Sequence, residues 1–170
     1  VEPVRVRHIP LQIRSTFRPD LPGTLIRTRH DGASGIAGFA GRRRMAMLRI
    51  HGAPPGAPAE ALRALGEEPF CLSETLGQTT VLLDMGSGAE TATLAAHLRA
   101  QLPGAEVTLR ENLAVLAAIC RTSDAIPPVL QAVESAGVPV HHLLRCAPGL
   151  LMIVNDSQYE TALRSASVSK

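Results

Sequence analysis

Two short loops carry the residue types best suited to holding a ligand. His51 to Ala57 and Cys120 to Ile126 each follow an apolar strand pattern and precede a helical one. The first N–H groups of a helix lack partners and carry partial positive charge, so they attract anions. Gly52 and Gly56 let a ligand approach the main chain of the first loop; Ser123 and Asp124 partly do so in the second. A small carboxylate, such as the α-carboxylate of an amino acid, would dock there, with Ala57 and Ile126 opening the helices. The same spacing also suits an ordinary βα turn.

Other chemistry finds little material. The only lysine is Lys170, which excludes a Walker-type phosphate loop and an internal Schiff-base lysine. Arg42-Arg43-Arg44 has no aromatic neighbours for nucleic-acid stacking and reads as a solvated run leading into a strand. His141-His142 places one ring on each side of a strand, so the pair cannot readily chelate one metal. Cys146, in the turn Arg145 to Gly149, reads as a bystander. Cys71, Cys120 and Cys146 form no C-x-x-C pair and are expected to be free thiols in a reducing cytoplasm. The longest apolar run, Leu113 to Ile119, is too short to span a membrane, and no signal peptide is visible. The chain starts with Val1, so we expect a fragment or a processed piece.

The 170 residues fit one ordinary domain or two small ones. Residues 1–30, with four prolines and a strand pattern at Ile9 to Ile13, look like the tail of something larger. A Gly-rich connection from Asp31 to Gly41 follows. Two similar units then recur about seventy positions apart, each reading strand, Pro-rich turn, helix, paired strands, helix. In the first unit these are Met45 to Ile50, Pro54-Pro55-Gly56, a face of Ala61, Leu62 and Leu65, and Phe70 to Leu72 with Thr79 to Leu83. In the second they are Leu113 to Ile119, Pro127-Pro128, a face of Ile126, Val129, Leu130 and Val133, and Val138 to Leu144 with Leu150 to Val154. Capping boxes at Ser87-x-x-Glu90 and Ser157-x-x-Glu160 start the last helices, which run to about Leu102 and Ala166. Val107 to Arg110 closes the first unit. The second has no such strand after Ala166, and a segment from the front is a candidate to fill its place. The expectation is an α+β fold of two ferredoxin-like βαββαβ units, with boundaries at 31–111 and 112–170 and a bias toward association.

The opening Val1-Glu2-Pro3, then Ile9 to Pro19 and Pro22 to Ile26, resembles the end of the kinase domain of aspartate kinases. Ile36-Ala37, Met45 to Ile50, Asn112 to Leu116 and Ala136 to Val140 resemble the tandem ACT regulatory region of the same enzymes. The resemblance implies a parent that phosphorylates aspartate with ATP, on the route to lysine, threonine and methionine. The regulatory piece would be inactive alone. ATP and Mg would belong to the kinase domain, with no cofactor here. Its partners would be lysine and/or threonine as effector, the parent's kinase domain, and a second copy through ACT sheets, but no nucleic acid or membrane. It further implies effector contacts near Ser73 or Glu74, with Ala53 where an acidic residue often holds the ligand's amino group. Pro139 and Val140 fall where an Asn and an aliphatic residue grip the effector. Asp124 or Glu74 would meet the ammonium. Ala53, Pro139 and the absent loop glycines leave open an assembly module with a degenerate site.

Overall fold

The strand around Met45 to Ile50 is far longer than its apolar run. In the computed structural model, which describes residues 7, 9–26, 35–85, 91–146 and 149–168, it extends over sixteen residues. The chain divides into two compact units, Val1–Ser34 and Gly35–Lys170. Within the first, β1 (Leu11–Ile13) pairs antiparallel with β2 (Thr24–Ile26), and Gln12 Nε2 donates to the Pro22 carbonyl at 2.7 Å.

The second unit holds one antiparallel six-stranded sheet. Its strands are β3 (Ile36–His51), β4 (Cys71–Thr75), β5 (Gln78–Asp84), β6 (Glu106–Cys120), β7 (His142–Cys146) and β8 (Gly149–Asn155), in the order β4-β5-β3-β6-β8-β7. Among the described residues four α-helices accompany it: α1 (Ala57–Ala64), α2 (Thr91–Gln101), α3 (Ile126–Ser135) and α4 (Tyr159–Val168). Pro58 lies in the first turn of α1 and Gly66 follows it at φ +74°; Pro127 and Pro128 start α3, and Gly137 follows at φ +71°. Proline supplies a preset φ where no N–H is needed, and glycine takes the left-handed exit.

The long strands β3 and β6 each serve both halves. Met45 to His51 lies between β5 and Glu106 to Arg110, while Ile36 to Arg42 runs along Val115 to Cys120. The Gly-rich segment read as a connection is therefore strand from Ile36 onward and supplies the missing closing strand of the second half. The expected span 31–111 is not self-contained, because its leading strand pairs into the other half; residues 31–34 lie outside the described set.

Alternating side chains sort onto two faces. Ala46, Leu48, Ile50, Val81, Leu83 and Val107 pack on Ala61, Leu62, Leu94 and Leu98 of α1 and α2. Ala114, Leu116, Leu150, Met152 and Val154 pack on Val129, Val133, Ala162 and Ala166 of α3 and α4, with Ile36 among them. The opposite face carries a third cluster from both halves: Met45, Met47, Leu82, Leu113, Val115 and Ile153, none more than 2% exposed. No helix residue belongs to it, so the sheet must fold over and bury its own face.

Hydrogen bonds require the same shape. Arg49 pairs with Thr108, seven residues along β6 from Val115, whose partner on β8 is Ile153. A flat sheet would set Arg49 and the neighbour of Ile153, His141, about 20 Å apart. Instead Arg49 Nη2 donates to the His141 carbonyl at 2.6 Å. The bend falls at Arg44 (φ +58°) and Asn112 (φ +56°), the two non-glycine residues with positive φ among those described, beside register shifts between Arg42 and Met47. Each buried seam side chain contributes about 1.5–3 kcal/mol, a substantial return for two strained residues.

Two expectations differ locally. The strand predicted from Val138 begins at His142, because Val138 N–H turns back to the Val133 carbonyl at 3.3 Å and Pro139 has no N–H for a ladder. Ser157 lies inside a 3-10 turn, Asp156–Gln158, and α4 starts behind it at Tyr159, so it does not cap that helix. The Ser87 and Glu90 box falls outside the described residues.

Candidate functional site

Both loops lie at the junction of a central strand and a helix. In the first, Gly52 and Gly56 adopt φ +78° and +81°, where a Cβ is disfavoured. Gly52 N–H donates to the Gly77 carbonyl at 3.0 Å, tying the loop to the β4–β5 hairpin. Ala57 N–H donates to the Pro54 carbonyl at 3.1 Å, and Ala53 and Ala57 pack half-buried on the first core. Gly56 N–H donates to Glu74 Oε1 at 2.7 Å.

That bond changes the part expected of Glu74. The family resemblance implies a contact with a ligand's ammonium, yet here the Glu74 carboxylate occupies the amide at the head of α1. The chain thereby brings its own anion to the first helix start. Ser73, half-buried beside it on β4, lies opposite Thr80. The structure thus gathers Gly52, Gly56 and Glu74 at one end of the first half, joined through the hairpin.

The second loop is built differently. Thr122 is extended, Ser123–Ala125 forms a 3-10 turn, and α3 begins at Ile126. Arg121 N–H donates to the Gly35 carbonyl at 2.7 Å, so β3 anchors the loop. Ser123 Oγ accepts from Arg145 Nη2 at 3.3 Å, and Asp124 is exposed. Pro139 is exposed and Val140 packs on the second core, both on the segment before β7 rather than on a strand.

Loop spacing alone does not mark Arg145, but the repeat does. Cys71 pairs with Leu82 and His142 with Ile153, so β4 and β7 correspond position by position, and Glu74 corresponds to Arg145. The equivalent side chains reach equivalent loops with opposite charge. The first loop is closed by a carboxylate; the second has a guanidinium beside its helix start.

The Arg run does not form a free patch. Arg42 pairs with Asp84 and lies over Phe70; Arg43 Nη2 bonds Asp156 Oδ2 at 2.8 Å and lies over Tyr159. Arg44 N–H donates to Asp156 Oδ1 at 3.1 Å, pinning the bend. The hydrogen bond from Arg43, then the Arg44 amide, holds the Asp156 carboxyl below its ordinary range despite some burial. The two histidines have separate surroundings: the His141 ring lies between Arg110 and Asn155, whereas His142 faces the seam. Cys120 is buried, and burial raises its thiol pKa. Among the described residues no group of three His, Cys, Asp or Glu side chains is placed to hold a metal, and no helix is long and apolar enough to cross a membrane.

No family model matches the sequence, and no curated protein matches it. Solved structures do. Aspartate kinase from Clostridium acetobutylicum superposes with a TM-score of 0.79 at 17% identity, over 99% of this chain and 43% of that one. The regulatory subunit of aspartate kinase from Thermus flavus gives 0.68 at 20% identity, over 80% of this chain and 99% of that one. E. coli aspartokinase III in complex with lysine and aspartate gives 0.74 at 19% identity, over 98% of this chain and 40% of that one. The chain thus spans less than half of the whole kinases and nearly all of the separate regulatory subunit. Its fold is that of the tandem ACT regulatory region of aspartate kinases.

Proposed function

We propose that this chain is the amino-acid-sensing regulatory part of an aspartate kinase and that its effector binds at the second loop. The observation that carries this reading is Arg145, whose guanidinium stands at Ser123 beside the start of α3. An α-carboxylate there would meet a cation, the hydroxyl of Ser123 and the first N–H groups of the helix. The exposed carboxylate of Asp124, one residue on, would take the ammonium. Ile126, Pro139 and Val140 would border the side chain of the effector. Lysine is the first candidate, since E. coli aspartokinase III, a structural match, is bound to lysine, and threonine is the second on the family resemblance.

On this reading residues 1–30 are the tail of the kinase domain, ATP and Mg serve that domain and not this chain, and the parent enzyme is cytoplasmic. The outer edges of β4 and β7, the end strands of the sheet, are the surfaces through which a second copy would pair. Calorimetric titration with lysine, threonine and methionine tests the proposal. Saturable heat with one of them, lost in Arg145→Ala and Asp124→Asn, is the expected result. No heat from any at millimolar concentration defeats it.

A second reading has its own observation. Glu74 already occupies the amide of Gly56, as in a site turned over to structural use. If both loops are so retired, the module only assembles and braces the kinase. Feedback-insensitive activity of the parent enzyme, with loss of dimer on deleting 42–170, would favour that reading.

A further inference from the structure

The bend in β3 and β6 creates two matching rims on the seam, and they differ in charge. Met45 pairs with Asp84 just as Leu113 pairs with Asn155, each directly after a bend residue, Arg44 or Asn112. Arg42 and Arg110 stand two residues before those bends. At the first rim Arg42 pairs with the Asp84 carboxylate. At the second, the Asn155 amide stands in place of that carboxylate and Arg110 reaches it only through an imidazole: Arg110 Nη1 faces His141 Nδ1, and His141 Nε2 lies 2.7 Å from Asn155 Oδ1.

Further cationic and donor groups converge on the second rim. Arg49 continues the seam face of Met45 and Met47, and His142, opposite Ile153, continues the face of Leu144. Arg49 Nε and His142 Nε2 are both buried, and among the described residues neither has a hydrogen-bond partner. None of the described ion pairs involves Arg49 or Arg110. Arg110 is exposed, so the rim opens to solvent. Two guanidiniums without a carboxylate, and two buried nitrogens without partners, are costly unless something supplies acceptor oxygens.

We propose that this rim, formed by Arg49, Arg110 and His142, binds a small oxyanion from solution, a carboxylate or a phosphate. One oxygen accepts from Arg49 Nε and another from His142 Nε2–H, with Arg110 closing the outer side. The anion takes the part that Asp84 plays at the other rim. It also joins the halves, because Arg49 and Arg110 belong to the first half and His142 to the second. Burial, and then the Arg49 charge, depress the His142 pKa; a bound anion reverses the second effect.

The test titrates the whole chain with inorganic phosphate and, separately, acetate at fixed ionic strength and pH 7. Melting temperature is followed together with the 15N signals of Arg49 Nε and His142 Nε2. A saturable rise in melting temperature with either anion, with His142 Nε2 protonated and both signals moving, is expected, and the arm that responds identifies the class. Asn155→Asp places a carboxylate where the first rim has one and should abolish the response while keeping the fold; Arg110→Gln, at an exposed position, should weaken it severalfold. The proposal fails if neither anion gives a saturable response, or if both variants respond as the parent does. It also fails if His142 Nε2 is an unprotonated acceptor from Arg49 Nε, which would close the rim internally.

Discussion

Replacing Glu74 by alanine isolates the contact that distinguishes the two loops. The substitution removes the acceptor at 2.7 Å from Gly56 N–H and takes a negative charge from the head of an eight-residue helix. Loss of a capping acceptor costs about 0.5–2 kcal/mol. Glu74 is exposed, so solvent screening puts the value at the low end, about 0.5–1 kcal/mol. For a chain of this size that lowers the melting temperature by about 1–4 °C, less at high salt. Removing the internal carboxylate also uncovers an anion site, and the same energy corresponds to about two- to fivefold tighter binding of an added carboxylate. Acetate titration followed at the Gly56 amide resonance reads this directly. Glu74→Gln keeps an acceptor without the charge and should fall between parent and Glu74→Ala. If the Gly56 amide has the same shift, exchange rate and acetate response in Glu74→Ala as in the parent, the latch is not a feature of the molecule in solution.

Three further outcomes follow from packing and charge. A Cβ at Gly41 would lie within 2.5 Å of the Tyr159 ring, so Gly41→Ala should cost about 1–3 kcal/mol by chemical denaturation, with a changed fluorescence from Tyr159, the only tyrosine in a chain without tryptophan. The His142 pKa is held below 6.5 in the folded chain, so the unfolded state takes the proton more readily. Its contribution to stability is therefore complete above about pH 6.5 and is lost as pH falls through the folded-state pKa; urea midpoints from pH 8 to 5 should decline less in His142→Gln than in the parent. The Cys120 thiol, buried and raised in pKa, should react with a thiol reagent only on the timescale of opening, whereas fast labelling of Cys120 in native chain would contradict its placement.

The repeat, the helix positions and the layered α+β plan were legible because apolar periodicity reports burial. Met45 to Leu48 and Leu113 to Leu116 lie on central strands covered on both faces, which is why each reads as an unbroken apolar run. The front half of β3 was hidden for the opposite reason. Its glycines at 38 and 41 and its arginines look like a loop, yet a small residue is required at Gly41, where Tyr159 presses on the strand, and Arg42 and Arg43 are held by acids distant in sequence. A local pattern cannot report a constraint imposed by a residue more than a hundred positions away. The loops were legible as places but not as partners. Nothing in the spacing says that Glu74 turns toward Gly56, since that depends on how β4 registers against β5.

The register also shows how a duplicated scaffold acquires separate tasks. Equivalent pairs such as Cys71–Leu82 and His142–Ile153 keep their hydrogen-bonding geometry, and Arg44 and Asn112 keep the same left-handed bend, so both halves meet the same backbone requirements. Side chains outside the buried clusters are under no such constraint. Exposed Glu74 stands opposite exposed Arg145 in sign, and half-buried Asp84 is matched by the neutral, half-buried Asn155. Such changes alter stability little at solvent-facing sites but decide what charge a helix start or a seam rim will accept. The first loop and the first rim have their anions supplied internally, at Gly56 and Arg42; the second loop presents Arg145, and the second rim presents Arg49 and Arg110, which reach it from the first half. An anionic ligand should therefore distinguish the halves by electrostatics even though their folds match. Exchanging the two charges, in Glu74→Arg with Arg145→Glu, should move carboxylate binding from the second loop to the first.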